Sequence, residues 1–255
     1  MDDRTKEILQ QIEEAEYVLV GLGQEFDMEV FLTVRPEYIR IREQLQENNA
    51  MWLLPYVEEQ LRMQYLPELE NDVRQGLQNL AAVLEKKSYF VVSSATNHDL
   101  AQAPWKKMLL KKERYVAPCG DWSKKQCPDN CGEAVSELTD QDREQLQKCF
   151  EAMKSGKFDE PFLGTCPKCG KNLILNNVYA QRYDEKGYLE AWTNYQNWLQ
   201  NTLNHRMVLL EIGEGGRFPS IIRNPFRRIA MFQQKAVLYS IDGEQNPIAW
   251  LLSLC

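Results

Sequence analysis

The sequence predicts an α/β fold, in which a parallel sheet with flanking helices carries a small zinc-ribbon module. Two observations support this expectation. Short apolar runs alternate with helical stretches in the first and last parts of the chain, and two close pairs of cysteines interrupt that alternation in the middle. Strands that alternate with helices pair in parallel through right-handed crossovers. One sheet-bearing domain and one inserted module are therefore expected.

The chain opens with a helix and a strand. Apolar side chains recur at helical spacing over residues 3–16, and a short apolar run follows at residues 17–20. The run leads into Gly21-Leu22-Gly23. A strand that ends in a Gly-x-Gly loop is the usual start of a Rossmann-like dinucleotide-binding unit, because glycine backbone can approach a pyrophosphate closely. A tight turn without a ligand is the alternative.

The later elements continue this pattern. Residues 28–88 are rich in good helix formers and predict a helical insertion that is broken at Pro55 and Pro67. A further helix is expected near residues 219–233. Short apolar or β-branched runs predict strands at 89–93, 206–212 and 236–241, and a candidate fifth strand at 248–254.

Residues 118–185 depart from the alternation of strands and helices. They contain the paired cysteines and one helix, which is expected to begin near Thr139 because its spacing to Asp142 is that of a capping box. We therefore expect 118–185 to form a zinc-binding small module. Residues 1–117 and 186–255 are expected to form the Rossmann-like domain.

The two cysteine pairs predict a structural metal site. Cys127 and Cys131 are separated by three residues, and Cys166 and Cys169 by two. The two thiolates of each pair can coordinate one ion because a tight turn brings them together. Two such pairs complete a tetrahedral four-sulfur shell around zinc. Such a shell has no open position, so this zinc would be structural. Four buried or free thiols are the alternative.

The overall composition limits the classes of partner. The chain of 255 residues has 37 acidic and 30 basic residues, a formal net charge of −7, which gives no general attraction to nucleic acid or anionic lipid. No apolar run approaches the length of a membrane span, and the charged start has no signal-peptide pattern. A cytoplasmic protein is expected. Only His98 and His205 are histidines, and His98 is expected to be a loop or core residue.

The order of these motifs resembles that of the sirtuin family. The shared order is a strand into Gly-x-Gly, a strand into Asn-x-Asp, a four-cysteine insert and a strand into a second Gly-x-Gly. Two further stretches resemble the sirtuin-like sequences linked to bacterial macrodomain operons, whose members are protein ADP-ribosyltransferases. These stretches are Gly120-Asp121-Trp122 with Gln126-Cys127, and the segment 219–226. Residues 28–88 match poorly.

The resemblance implies NAD as a cofactor and assigns residues to it. Gly21 and Gly23 would approach the pyrophosphate. Asn97 and Asp99 would hold the nicotinamide and its ribose, and they are also candidate catalytic residues. Asp242 would accept a hydrogen bond from a ribose hydroxyl. The glycines expected on the adenosine side are Gly213 and Gly215.

Two departures from the family concern catalysis. Residues 24–28 replace the family's cofactor-closing loop, and Cys119 stands where the family has its general-base histidine. A thiol of ordinary pKa is a poor base, so deacylation is doubtful. Cys119 remains a candidate nucleophile or an inert small residue.

Three functions stay open from the sequence. The first is NAD-dependent ADP-ribosyl transfer to a protein substrate. The second is a catalytically inactive scaffold that binds nucleotide or a protein partner. The third is a zinc-dependent interaction module with no nucleotide, suggested weakly by the aromatic face of residues 188–198, for which a core stripe is the simpler interpretation.

Overall fold

The computed structural model describes residues 2–102, 114–243 and 245–254. The helices are α1 (Asp3–Glu14), α2 (Glu29–Leu32), α3 (Pro36–Glu47), α4 (Leu54–Tyr65), α5 (Pro67–Leu84), α6 (His98–Gln102), α7 (Asp140–Lys154), α8 (Leu189–Gln200), α9 (Arg223–Phe232) and α10 (Pro247–Leu252). The strands are β1 (Tyr17–Leu22), β2 (Ser88–Ser93), β3 (Tyr115–Val116), β4 (Gly120–Gln126), β5 (Ser136–Glu137), β6 (Ile174–Asn177), β7 (Met207–Ile212) and β8 (Ala236–Ile241). Within the described ranges, no helix has the length and apolar character needed to cross a membrane.

The main sheet is parallel and Rossmann-like, as the sequence predicts. Its order across the described residues is β3-β2-β1-β7-β8, with all neighbouring strands parallel. Leu22 at the end of β1 lies opposite Ser93 of β2 and Ile212 of β7, so the three strands end at one level. The strand order reverses beside β1, between β1 and β7. A ligand crevice is expected at the carboxyl ends of the strands at such a point.

The expected strand at residues 248–254 is wrong, because this segment is the helix α10. The Asn246 side chain accepts hydrogen bonds from the backbone N–H groups of Ile248 and Ala249, both at 3.0 Å, and Pro247 occupies the first turn. An Asn cap followed by proline favours a helix start. The fifth strand of the sheet is β3, whose two residues are too few for a periodic signal.

The prolines of the helical insertion start helices. Pro55 lies in the first turn of α4 and Pro67 in the first turn of α5. Proline is tolerated there because the first N–H groups of a helix have no intrahelical partner. The predicted breaks in the insertion are therefore confirmed.

A second, antiparallel sheet belongs to the cysteine-containing part of the chain. Its order is β5-β4-β6, and side chains of α7 share an apolar core with β4 and β6. Thr139 and Asp142 form the predicted capping box: the Asp142 N–H donates to Thr139 Oγ1 at 3.2 Å, and the Thr139 N–H donates to Asp142 Oδ2 at 2.7 Å. Lys125 of β4 donates to the same carboxylate at 2.6 Å, which ties α7 to the sheet.

Two large apolar cores lie on different sides of the helical insertion. The side chains of α5 pack with α1, α10 and the main sheet. The side chains of α3 and α4 pack instead with the second sheet and α7; Trp52 and Leu61 share that core with Leu146 and Phe150. The insertion therefore connects the main sheet to the cysteine-containing part by shared burial.

A third core joins α8 to the main sheet. Tyr195 is buried, and its ring lies 5.3 Å from that of Phe90 on β2, centroid to centroid. Trp198 packs on the same ring at 5.8 Å. The aromatic face of α8 is thus a core stripe.

A buried ion pair lies inside the helical insertion. Arg62 of α4 and Glu70 of α5 are 1% and 3% exposed, and Arg62 Nε donates to Glu70 Oε1 at 2.7 Å. Arg62 Nη1 also donates to the backbone oxygen of Asp27 at 3.3 Å. This pair therefore fixes the segment that follows the first Gly-x-Gly loop.

We expect Arg62→Met to lower the free energy of unfolding by about 3–5 kcal/mol, because the change leaves the Glu70 carboxylate buried without its partner. Arg206→Met is the matched control, since Arg206 pairs with Glu14 at 2.7 Å on the exposed surface. Urea unfolding followed by circular dichroism measures both. Equal losses in the two variants would contradict the importance of burial.

Candidate functional site

The two glycine loops at the carboxyl edge of the sheet touch each other. A Cβ at Gly23 would lie 2.1 Å from both the carbonyl oxygen of Gly213 and the Cα of Glu214. A Cβ at Gly21 would lie 2.4 Å from Cγ2 of Ile222, just before α9. In this structure, the space beside both glycines that the sequence analysis assigns to a pyrophosphate is taken by the chain itself.

Residues 24–28 fold down at this edge. Gln24–Asp27 form a 3₁₀ turn, in which Phe26 is buried, and the following Met28 is buried with a left-handed φ of 55°. The Glu25 N–H donates to the Gly213 carbonyl oxygen at 3.0 Å. Residues 24–28 are therefore partly buried in the core, and a hydrogen bond connects them to the loop after β7.

Asp27 is buried within this segment. Its Oδ1 accepts a hydrogen bond from the Thr96 N–H at 2.8 Å. Burial raises the pKa of Asp27 to about 6, although the charge of Arg62 and the Thr96 N–H oppose the rise. Asp27 thus joins the first glycine loop to the loop that follows β2.

The Asn-x-Asp motif contacts the same segment. Asn97 is buried, its Nδ2 donates to the Phe26 carbonyl oxygen at 2.8 Å, and its Oδ1 accepts from the Asp99 N–H at 3.0 Å. Asp99 pairs with Arg74 of α5 at 2.9 Å. The structure therefore brings Asn97 beside residues 24–28, whereas the Asp99 carboxylate is directed to Arg74.

Cys119 is fully buried at the start of β4. Burial is the main cause that raises the pKa of its thiol, and the negative charge of Asp27 adds to it. Only the thiolate is a good nucleophile. Of the two alternatives from the sequence, the geometry favours the inert small residue.

Arg223, which the sequence analysis did not single out, lies close to three carboxylates at the ends of β7 and β8. Its guanidinium lies 2.7 Å from Glu214, and 3.4 Å from both Glu211 and Asp242. Glu211 and Glu214 are buried, and burial raises the pKa of Glu214 while Arg223 opposes the rise. Asp242 is the partly exposed member, with 37% of its side chain accessible, so it can meet a ligand.

The second glycine loop faces residues 24–28. Gly213 and Gly215 have φ values of +60° and +65°, a region in which side chains are strained. The Arg217 N–H donates to Gln24 Oε1 at 3.1 Å just after this loop. The loop of Gly213 and Gly215, which is predicted to face the adenosine, therefore contacts residues 24–28.

The edge does not fit a dinucleotide as it stands, because Ile222 and the loop after β7 fill the space beside Gly21 and Gly23 and residues 24–28 occupy the rest of the edge. Glycine loops, a partly exposed carboxylate and a buried amide are present at the strand ends, as such a ligand requires. Phe26 and Asp27 are buried at the same edge, however, and the Asn97 amide is bonded to the Phe26 carbonyl oxygen. In this conformation the protein holds the segment where part of the ligand would lie.

The four paired cysteines form a compact cluster. All four Sγ atoms lie within 4.8 Å of one another, with Cys127 3.5 Å from Cys169 and Cys131 3.4 Å from Cys166. Tetrahedral zinc with bonds of about 2.3 Å places sulfurs about 3.8 Å apart, so the donor set fits. Backbone N–H groups of Cys169 and Lys168 lower the pKa of Cys166, whereas contact with the neighbouring thiols raises the pKa of Cys131. The cluster is compatible with the predicted structural zinc.

His98 lies in a site that the sequence analysis did not predict. It begins α6, and its Nδ1 lies 2.8 Å from Oδ2 of Asp121 on β4. Its ring packs on Trp122 at 4.8 Å, and both His98 and Asp121 line a cavity of about 260 Å³. The two residues are 23 positions apart, and only the fold brings them together.

The fold and the site define an α/β protein with a Rossmann-like sheet and a four-cysteine module. No protein-family model matches the chain. It is 22% identical over 266 residues to a "Protein ADP-ribosyltransferase" of Staphylococcus aureus (strain Mu50), an alignment that covers 95% of this chain and 80% of that protein.

Solved structures show the same architecture. A complex described as "Sir2-p53 peptide-NAD+" matches with a TM-score of 0.50 and 12% identity over 99% of this chain and 95% of that one. A Sir2 homologue in complex with NAD gives a TM-score of 0.45 and 11% identity over 98% and 86%. The first of these likenesses, with its TM-score of 0.50, shows that the chain has a divergent sirtuin-like fold.

The cysteine cluster makes a direct prediction. The purified protein is expected to contain one zinc per chain, and Cys166→Ser is expected to lose it, with a fall in Tm of about 5 °C or more, because metal binding contributes to folding. Elemental analysis and thermal unfolding measure this. Cys149→Ala, which removes a buried thiol outside the cluster, keeps the zinc. Full zinc content in both variants would contradict the assignment.

The contact at Gly23 makes a second prediction. Gly23→Ala is expected to lower the free energy of unfolding by about 3 kcal/mol, since the methyl group would overlap with backbone atoms of the neighbouring loop. Gly156→Ala is the control, because a Cβ there meets nothing within 4 Å and costs only about 1–2 kcal/mol of left-handed strain. Chemical unfolding compares them, and a Gly23→Ala loss no larger than the control would refute the contact.

Proposed function

We propose that this chain binds NAD at the carboxyl edge of its main sheet and transfers ADP-ribose to a protein. The observation that carries the proposal is the similarity, over 95% of the chain, to a protein named as a protein ADP-ribosyltransferase. The sirtuin-like fold supports it, because the strand order reverses between β1 and β7, where dinucleotides bind in such sheets.

The proposed binding residues are those at the strand ends. Gly21 and Gly23 lie under the pyrophosphate, with Gly213 and Gly215 on the adenosine side. Asp242 accepts a hydrogen bond from a ribose hydroxyl. When bound, NAD supplies the ADP-ribosyl group, with nicotinamide as the leaving group.

Binding requires residues 24–28 to leave their place at the edge, and also requires the loop after β7 to move from Gly23 and Ile222 to move from Gly21. The hydrogen bond from Asn97 Nδ2 to the Phe26 carbonyl oxygen then breaks. The freed amide becomes available to the nicotinamide side of the ligand, together with Asp99. The ligand thus replaces a contact within the protein, and the free energy of moving the segment reduces the observed affinity.

Transfer is favoured over deacylation by the chemistry at position 119. The Cys119 thiol is buried and its pKa is raised, mainly by burial, so it does not replace an imidazole as a base. Transfer of ADP-ribose requires chiefly that the cofactor be oriented and that its positive centre be stabilised. The carboxylate of Asp99 and the amide of Asn97 can supply that support.

Binding is tested by thermal unfolding with NAD and with ADP-ribose. At about 100 times the Kd, either ligand is expected to add about 2.7 kcal/mol to the free energy of unfolding. Asp242→Ala is expected to raise the Kd about tenfold, because it removes one charged hydrogen bond to the ligand. Asp3→Ala is the control, since Asp3 is 99% exposed on α1 and leaves the Kd unchanged. No stabilisation by either ligand would contradict binding.

Turnover is measured with labelled NAD and a cell extract as the source of protein acceptors. Labelled protein together with released nicotinamide is the expected result. Stabilisation by NAD without release of nicotinamide would identify a nucleotide-binding scaffold instead.

A further inference from the structure

Arg217 joins three parts of the molecule that meet at the carboxyl edge of the main sheet. It lies in the loop between β7 and α9, and its backbone N–H donates to Gln24 Oε1 at 3.1 Å. Its guanidinium pairs with Glu29, the first residue of α2, and donates to the Tyr179 hydroxyl oxygen at 2.8 Å. Tyr179 follows β6. One side chain thus connects the loop after β7, the segment that follows Gly23, and the cysteine-containing part of the chain.

The Glu29 carboxylate binds two arginines through different oxygens. Arg42 of α3 donates to Glu29 Oε1 at 2.8 Å, while Arg217 contacts Oε2. The side chain of Glu29 is 18% exposed and that of Arg217 is 38% exposed. An ion pair that is partly shielded from water is screened less than one on the open surface, so this pair contributes to the position of the elements that it joins.

Both ends of residues 24–28 are attached to the loop between β7 and α9. Near the start of this segment, the Glu25 N–H donates to the Gly213 carbonyl oxygen at 3.0 Å. Glu29 comes directly after the segment, and its pair with Arg217 holds that end. The segment and the loop must move apart before a dinucleotide can lie on Gly23. The pair between Arg217 and Glu29 spans the two parts that separate, and it therefore opposes opening.

The closed segment contains features that cost free energy. Met28 has a left-handed φ of 55°, which is unfavourable for a residue with a side chain. Gln24 Nε2 is buried without a hydrogen-bond partner in the part of the chain that the structure describes. Asp27 and Glu58 are both buried, and burial together with the charge of Asp27 raises the pKa of Glu58 to about 8. A segment that is attached at both ends and strained between them is suited to open when one attachment is released.

We propose that this conformation is autoinhibited, and that the ion pair between Arg217 and Glu29 is the latch that keeps residues 24–28 closed. This inference rests on the proposed NAD site. When the latch breaks, the segment and the loop after β7 separate, and the space beside Gly21 and Gly23 becomes open to the nucleotide. Without ligand the open state is a minor population, so release of the latch raises the apparent affinity for NAD.

An ion pair that only stabilises the fold would behave differently. Its loss would increase unfolding of the whole protein and would give the nucleotide no advantage. Loss of a latch acts first on residues 24–28 and lowers the Kd for NAD. The two roles are therefore separated by where the chain opens and by the direction in which the affinity changes.

The first measurement needs no ligand. Hydrogen exchange of backbone amides is followed by mass spectrometry in the wild type, Glu29→Gln and Arg217→Gln. Peptides that cover residues 24–32 are expected to exchange about three- to fivefold faster in both variants, the effect of losing one partly exposed ion pair. Arg206→Gln is the matched control, since Arg206 pairs with Glu14 at 2.7 Å just before β7 and is expected to leave this exchange unchanged.

The exchange experiment contains its own test of the alternative. Peptides of β1 report unfolding of the main sheet, and their exchange is expected to stay at the wild-type rate. Equal acceleration in β1 and in residues 24–32 would assign the pair to stability alone. Unchanged exchange of residues 24–32 in both variants would overturn the latch, whether or not the protein binds NAD.

The second measurement is the Kd for NAD, by titration calorimetry, in the wild type, Glu29→Gln and Arg42→Gln. Glu29→Gln is expected to lower the Kd about three- to fivefold, because a larger fraction of the protein is open. Arg42→Gln is the matched control: it removes the other partner of Glu29 and leaves the pair with Arg217 in place. Its Kd is therefore expected to stay at the wild-type value.

The outcomes of the second measurement separate this inference from the proposed function. An unchanged or raised Kd in Glu29→Gln, or an equal fall in Arg42→Gln, would overturn the latch and leave NAD binding standing. Faster exchange of residues 24–32 with no NAD binding by the wild type or by Glu29→Gln would reject the proposed function. It would also show that the closed segment does not inhibit NAD binding, and the inference of autoinhibition would fall with it.

Discussion

The contact between the Gly23 backbone and the loop that follows β7 sets the geometry of the whole carboxyl edge. β1 and β7 are parallel neighbours in register, so their loops leave the sheet side by side. A Cβ at Gly23 would lie 2.1 Å from the Gly213 carbonyl oxygen, so the two loops can close only without one. Once they close, the Glu25 N–H reaches Gly213, and the Phe26 carbonyl oxygen is placed against Asn97. The absence of one methyl group thus determines where the candidate nicotinamide residues are held.

The helical insertion holds the same segment from the other side. Arg62 reaches the Asp27 backbone from within a buried pair with Glu70, and the Asp27 carboxylate binds Thr96. Buried charges are costly unless they are paired, so this network contributes more to the position of the segment than to net stability. Because α4 shares its core with the second sheet, residues 24–28 are coupled to both parts of the molecule.

Local signals in the sequence predicted much of this fold. Strand runs, the capping box of α7 and the spacing of the four cysteines each depend on a few adjacent residues. A short apolar run such as 248–254 does not distinguish strand from helix by periodicity, and Asn246 before Pro247 was the signal for α10. Pairs such as His98 with Asp121, or Arg223 with Glu214, are set by packing between distant elements. The position of residues 24–28 at the carboxyl edge of the sheet also depends on packing between distant elements, so the sequence did not predict it.

The cysteine cluster and the His98 site are connected through β4. This strand carries Asp121 near its start and ends next to Cys127, while β6, its antiparallel partner, follows Cys169. An ion bound by the four sulfurs would therefore hold both strands at the end near Cys127, whereas Asp121 lies at the other end of β4, beyond a shift in the register between β4 and β6. A structural metal at this place would stabilise the sheet that carries Asp121, on which the contact with His98 depends. His98 begins α6, which follows β2 of the main sheet, so the hydrogen bond between His98 and Asp121 joins this part of the chain to the second sheet.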